Sequence, residues 1–152
     1  MVDRRTTGSW LEGPASVTRA PGDYPGRRLG LPEQGAGSIG RVGRRFVALC
    51  VDWFLALLLA RVALQVEDWN GLQWATLAVF TLLNAVLLAT VGGTVGHRLL
   101  GLKLVRLDGT EAGPARGVAR AVLLSLAVPA LIWDRDQRGM HDRLVGTVLR
   151  RV

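Results

Sequence analysis

Asp52 is the residue in this chain with the most chemistry in its surroundings. It stands six residues into Phe46–Val66, a stretch of 21 residues whose only other charge is Arg61. At a helical rise of ~1.5 Å per residue, its carboxylate lies about 9 Å past the start of the apolar run. An acid at that depth either has a task, binding a cation or passing a proton, or has partners that make it a lock between helices. Spacing offers two partners. Arg45 precedes Asp52 by seven residues, about 700° around a straight helix and so only about 20° from the same face. Its guanidinium can snorkel at the interface while the carboxylate reaches back to it. Asn84 is the second. If the two apolar runs fold as a hairpin with 46 facing 91 and 66 facing 72, Asp52 stands opposite Asn84, whose amide can donate across the helices for roughly 0.6 kcal/mol. The locking role is the expected one, because a single acid on two or three helices leaves little room for a permeation path.

Other reactive residue types give weaker signals. Arg61 is five residues from the far end of its run, close enough to snorkel outwards or towards Glu67 and Asp68. His97 and His141 can approach one another, but two histidines without further Cys or His make a poor metal set, and hydrogen-bonded or solvated roles are expected. Asp134-Arg-Asp136-Gln-Arg138-Gly139 opens like a calcium loop, yet Arg138 replaces the third oxygen ligand and Val145 replaces the closing glutamate. Gly35-Ala36-Gly37-Ser38-Ile39-Gly40 spells G-x-G-x-x-G without the preceding strand that a dinucleotide site requires. Gly92 and Gly96 match a small-residue packing motif, but their place at a helix end suits termination better. The single cysteine, Cys50, has no partner in the chain and reads as a small apolar residue. No nucleophile with its base and no cofactor motif is visible, so no enzyme, metal or cofactor is expected.

The elements that position these residues follow from the apolar pattern. Of the 152 residues 49% are hydrophobic, and they cluster: Phe46–Val66 and the uncharged Leu72–Val91 are each long enough to cross a hydrocarbon core of ~30 Å. Helices are predicted over about 42–66 and 72–91, joined by the acidic Glu67–Gly71 with its turn-forming Asn70-Gly71. A third apolar segment, Val118–Trp133, contains Arg120 and Pro129. It predicts a short helix over about 115–133, broken at the proline and returning to the same side. Leu100–Leu107 alternates in polarity and Leu144–Leu149 is β-prone, so the two are predicted to pair. The fold class is thus an all-α integral membrane protein, a two-helix transmembrane hairpin plus a third short membrane helix, with a small cytoplasmic β-pair. Residues 1–40, rich in Gly, Pro and Arg, predict a disordered cytoplasmic tail before a membrane domain at 41–152, whose C-terminal segment is 134–152.

Charge orients the hairpin. Nineteen Lys and Arg stand against 12 Asp and Glu, a net charge of +7. Eight arginines precede Phe46, and Arg98, Lys103, Arg106, Arg116 and Arg120 follow the second helix, whereas the Glu67–Gly71 turn has none. The positive-inside rule places the N-terminus and the connection 92–117 in the cytoplasm and the acidic turn outside. The pI of about 11.3 then reflects topology and anionic headgroups of the bilayer; no nucleic acid is expected. A homo-oligomer or a membrane-protein partner is expected, since a small bundle gains by burying Asp52 and Arg61 away from lipid.

Three ordered motifs resemble one family. Arg45-Phe-Val-Ala48-Leu-Cys-Val-Asp52 resembles the R-x-x-A-x-x-x-D signature of the RDD family, named for an arginine and two aspartates. Gly93-Thr-Val-Gly96-His97-Arg98-Leu-Leu-Gly101-Leu102, followed by Asp108-Gly109, is similar to the family's glycine-spaced stretch, with His97 in place of its usual lysine. Arg138-Gly139-Met-His-Asp142-Arg-Leu-Val-Gly146-Thr147 resembles its closing motif and makes Asp142 the second aspartate. The resemblance spans about residues 41–152, and the tail around Tyr24–Pro32 is similar to that of actinobacterial members. It implies a small multi-helix protein of the bacterial cytoplasmic membrane without a settled biochemical role; cation or proton exchange has been suggested for some relatives.

Together these readings predict one polar cluster of Arg45, Asp52, Asn84 and Asp142, with Arg44, Arg98 and His97 as contributors. The expected function is non-enzymatic, that of an accessory or assembly component. Its rival is sodium or proton antiport centred on Asp52.

Overall fold

The computed structural model describes residues 22–126 and 139–152. Helix α1, Val42–Leu58, continues into a π-helical turn, Leu59–Ala63, and α2 spans Trp69–Thr90. Both runs are rich in Leu and Ala, which lose little side-chain freedom in a helix. They are long and apolar enough to cross a membrane, and only 22% of the most apolar window of each is buried within the protein. A soluble core helix would hide most of such a surface; here Phe46, Phe54, Trp69, Trp74 and Leu82 are each more than 60% exposed. The hairpin turn lies one step earlier than the Asn-Gly pair suggests. Asp68 caps α2 by accepting a hydrogen bond from the Gly71 backbone at 2.6 Å, so Asn70 and Gly71 form the first helical turn. Arg61 donates to the carbonyl of Val66 at 2.8 Å.

After α2 the chain reverses at Gly92, whose φ of +68° suits glycine. It then forms a short helix α3, Val95–Leu99, and strand β1, Leu102–Arg106. Helix α4, Pro114–Ser125, starts with proline at its first position, where the missing N–H costs nothing. It crosses α2 so closely that a Cβ on Gly117 would lie 2.7 Å from the carbonyl carbon of Leu88. The break expected at Pro129, Trp133 and all of the calcium-like motif but Gly139 fall in residues 127–138, outside the described residues.

Helix α5, Met140–Leu144, and strand β2, Thr147–Arg151, complete the described chain. β2 pairs antiparallel with β1, Leu104 opposite Leu149. The pairing agrees with the alternation of 100–107, but Met140–Leu144 is helical, so the second strand starts three residues later than Leu144. The main core, Ala48, Leu88, Leu102, Leu104, Ala112, Ala121 and Leu149, lies where the helix ends meet this strand pair.

Residues 22–40 differ from the structureless tail expected of them. Gly37 and Gly40 donate backbone hydrogen bonds to Arg151 and Leu149, each at 2.7 Å, and Ser38 accepts one from Arg151 at 2.8 Å. They complete the outer edge of β2, whose backbone groups would otherwise lack partners. Leu31 and Ile39 bury against Val105 and Val148. Two isolated apolar residues among glycines and prolines carry no period, which hides this edge from a pattern reading.

Candidate functional site

α1 sets Asp52 against the N-terminal turn of α3, and both carboxylate oxygens are taken there. Oδ1 accepts from the Gly96 backbone N–H at 2.8 Å, and Oδ2 accepts from the Thr94 hydroxyl at 2.5 Å. This contact requires glycine at 96. A Cβ there would be driven into the carbonyl of Ala48, so Gly96 serves the close approach of α3 to α1 rather than helix termination. Thr94 also caps α3. Its oxygen accepts from the His97 N–H at 3.2 Å, while the Thr94 N–H donates to His97 Nδ1 at 3.2 Å, a capping box with histidine in the usual place of Glu or Gln. His97 is 5% exposed. Burial, then the charge of Arg120, push its pKa down to about 3. The ring is therefore neutral, with Nδ1 accepting and the proton on Nε2.

Neither partner expected for Asp52 is the one found. Asn84 donates to the Phe80 carbonyl of its own helix at 2.9 Å, a local acceptor that needs no second helix. Arg45 turns the other way, donating from Nε to the Gly40 carbonyl at 2.7 Å and from Nη1 to Asp142 Oδ2 at 3.0 Å. Asp142, fully buried on α5, also accepts from Arg120 Nε at 2.5 Å through Oδ1. His141 Nε2 lies 3.6 Å from the same oxygen. Burial pushes the Asp142 pKa up, but Arg120, Arg45 and His141 pull harder and hold it at about 2. The carboxylate is thus ionised and spanned by two guanidiniums.

The structure brings Arg45 and Asp142 together in an ion pair and sets Asp52, Asn84 and His97 around the same space. Arg44 and Arg98 do not join them. Arg44 donates to the Leu100 carbonyl at 2.9 Å, and Arg98 is exposed beside Gly92, Gly101 and Lys103. Reach explains the difference. Arg45 shares the inner face of α1 with Ala48 and Asp52, whereas Arg44 is turned one position round the helix.

Arg120 is the residue that sequence reasoning missed. A lone arginine in an apolar segment carries the same signal as Asp52, but composition assigns it only to the basic flank after the second helix and to a short third segment. Thr94 was missed too, since a hydroxyl before a short helix marks a cap without announcing a distant acid.

A cavity of about 160 Å³ opens between these groups. Arg45, Asp52, Asn84, His97, Arg120 and His141 line its polar side, and Val42, Phe46, Leu49 and Leu124 its apolar side. Among the described residues no group of three or more His, Cys, Asp or Glu is placed to hold a metal ion. In comparisons with known proteins, neither the curated proteins nor the solved structures provide a match. The model of the RDD family matches residues 39–146, which take in Arg45, Asp52 and Asp142, and the chain belongs to that family.

Proposed function

We propose that this chain is a non-enzymatic protein of the bacterial cytoplasmic membrane, an accessory or assembly component whose arginine and two aspartates hold the bundle together. One observation carries the reading: all four carboxylate oxygens of Asp52 and Asp142 accept hydrogen bonds from the protein's own groups. Asp52 fastens α1 to the turn after α2, and Asp142 fastens α5 to both α1 and α4. Such carboxylates serve as fasteners between elements, whereas a transported cation would have to displace these donors. Family membership and two membrane-capable helices support the bilayer. The arginines before α1 and after α2 support a cytoplasmic N-terminus, with the α1–α2 turn outside. The pairing of β2 with β1 and of Asp142 with Arg120 supports a third segment that returns to the cytoplasmic side. The exposed apolar helix faces suit lipid, and a second copy or another membrane protein as partner.

The test is sodium and proton flux in proteoliposomes, wild type against Asp52→Asn. The fastening role predicts no flux in either. Flux in the wild type that is lost in Asp52→Asn would replace this reading with antiport centred on Asp52.

A further inference from the structure

Arg120 and His97 both line the cavity, and each has a donor N–H that meets no acceptor among the described residues. Arg120 is 3% exposed; its Nε is used by Asp142, but its Nη1 is buried with no hydrogen-bond partner among the described residues. A buried guanidinium N–H left without an acceptor costs more than a neutral one. His97 lines the same cavity and has its Nδ1 engaged by Thr94, so its ring N–H is carried on Nε2. The acids nearby do not compete for a cation, because Asp52 is held by Thr94 and Gly96 and Asp142 by the two arginines. The polar side of the cavity therefore asks for an acceptor with negative charge.

Position says where that acceptor comes from. Arg45, which lines the same cavity, is in the first turn of α1 and His97 follows the end of α2, which puts the cavity at the headgroup level of the cytoplasmic leaflet in the orientation proposed above. The other wall is apolar. Phe46 is 63% exposed, Val42, Leu49 and Leu124 are half-buried, and together they lead from the donors to the lipid-facing surface of α1 and α4. Basic pockets between membrane helices on the cytoplasmic side are a recurring way to hold lipid phosphates.

We propose that this cavity binds the phosphate oxyanion of a phospholipid headgroup, with Arg120 and His97 as donors and the start of an acyl chain along Val42, Phe46, Leu49 and Leu124. The ligand would be a membrane lipid acting as part of the bundle.

The test titrates the detergent-solubilised full chain with dioctanoyl phosphatidylglycerol and, in parallel, with inorganic phosphate. Two variants leave every Asp52 and Asp142 hydrogen bond in place. His97→Glu keeps a residue able to complete the capping box and sets a carboxylate against Arg120, and Leu49→Trp fills the apolar wall. The expected result is lipid binding by the wild type, a loss of roughly ten- to hundredfold in His97→Glu, the worth of a charge-assisted hydrogen bond, a loss of roughly tenfold or more in Leu49→Trp from steric occupation of the apolar wall, and far weaker binding of inorganic phosphate. Unchanged lipid affinity in both variants would overturn the proposal, and so would inorganic phosphate binding as tightly as the lipid. Should His97→Glu fail to fold, Leu49→Trp alone decides. Because the inference rests on the membrane reading, resistance of the wild type to alkaline extraction from membranes is scored alongside. An extracted protein fails both readings, whereas an inserted one that ignores the lipid fails this one alone.

Discussion

Replacing Asp142 by asparagine should unfold this protein more readily than any other single-atom change to its polar cluster. The fully buried carboxylate presents one oxygen to Arg120 Nε at 2.5 Å and the other to Arg45 Nη1 at 3.0 Å. An amide keeps one acceptor and turns the other into a donor that faces a guanidinium. Removing one partner of a buried ion pair costs about 3–5 kcal/mol, because the remaining charge is left without compensation in a poor solvent. That corresponds to a change of roughly two to four orders of magnitude in the folded-to-unfolded ratio, at about 1.4 kcal/mol per tenfold. The pH dependence supplies a second arm. The Asp142 pKa is lowered on folding from 3.8 to about 2. A depressed acid stabilises fully above its unfolded pKa and loses that contribution as pH falls through the folded one, here roughly 2 kcal/mol lost between about pH 4 and pH 2. The protonation cost is the smaller, since a carboxylic acid keeps its shape and one acceptor oxygen. The assay is equilibrium unfolding of the solubilised chain followed by tryptophan fluorescence at pH 7 and at steps down to pH 2. Asp142→Asn should lie about 3–5 kcal/mol below wild type at pH 7, with the gap narrowing below about pH 4. A combined Arg45→Met, Arg120→Met, Asp142→Leu variant should recover most of the loss, since an apolar set of similar volume has no charge to strand. Asp142→Asn within about 0.5 kcal/mol of wild type at pH 7, a surface-like effect, would refute this account of the cluster.

Three further outcomes follow from the geometry. Asp52→Asn should cost no more than about 1.5 kcal/mol, because its oxygen can still accept from Gly96 and its amide can donate to the Thr94 oxygen; Asp52→Leu leaves both groups unpaired and should cost about 1–3 kcal/mol for each, read by the same unfolding assay. Gly117→Ala should destabilise by about 1–3 kcal/mol through its clash with Leu88, whereas Gly43→Ala, which meets nothing within 4 Å, should be neutral or stabilising; equal effects would mean that α4 does not approach α2 as described. With Cys50 replaced, a thiol-reactive impermeant label added from outside should modify a cysteine at Asn70 and spare one at Arg150; labelling at both positions would mean that the two lie on the same outer side or that the chain crosses a third time.

Properties that run along one dimension were legible in the sequence. The lengths of two apolar runs predicted α1 and α2 within a few residues, and alternation over 100–107 predicted β1, because spacing and hydropathy are set by the chain alone. The depth of Asp52 and the two arginine-rich flanks likewise singled out the end of the bundle where the polar groups collect. Partner choice was not legible. An ideal hairpin sets Asp52 against Asn84, yet Asn84 satisfies itself on Phe80 and the carboxylate is taken by Thr94 and Gly96. That outcome depends on how closely α3 lies on α1, which the absent Cβ of Gly96 permits and no periodicity records. Arg120 became the second clamp on Asp142 only because α4 and α5 meet in space across 22 residues of sequence. The edge of β2 drew Ser38 and Ile39 into order for the same reason: unpaired backbone groups exist only once the strands have paired. Residue type and order identify which side chains are costly to bury and roughly where along the chain they fall. The tertiary structure alone decided which donor meets which acid, since a buried charge takes the nearest well-aimed partner that packing delivers.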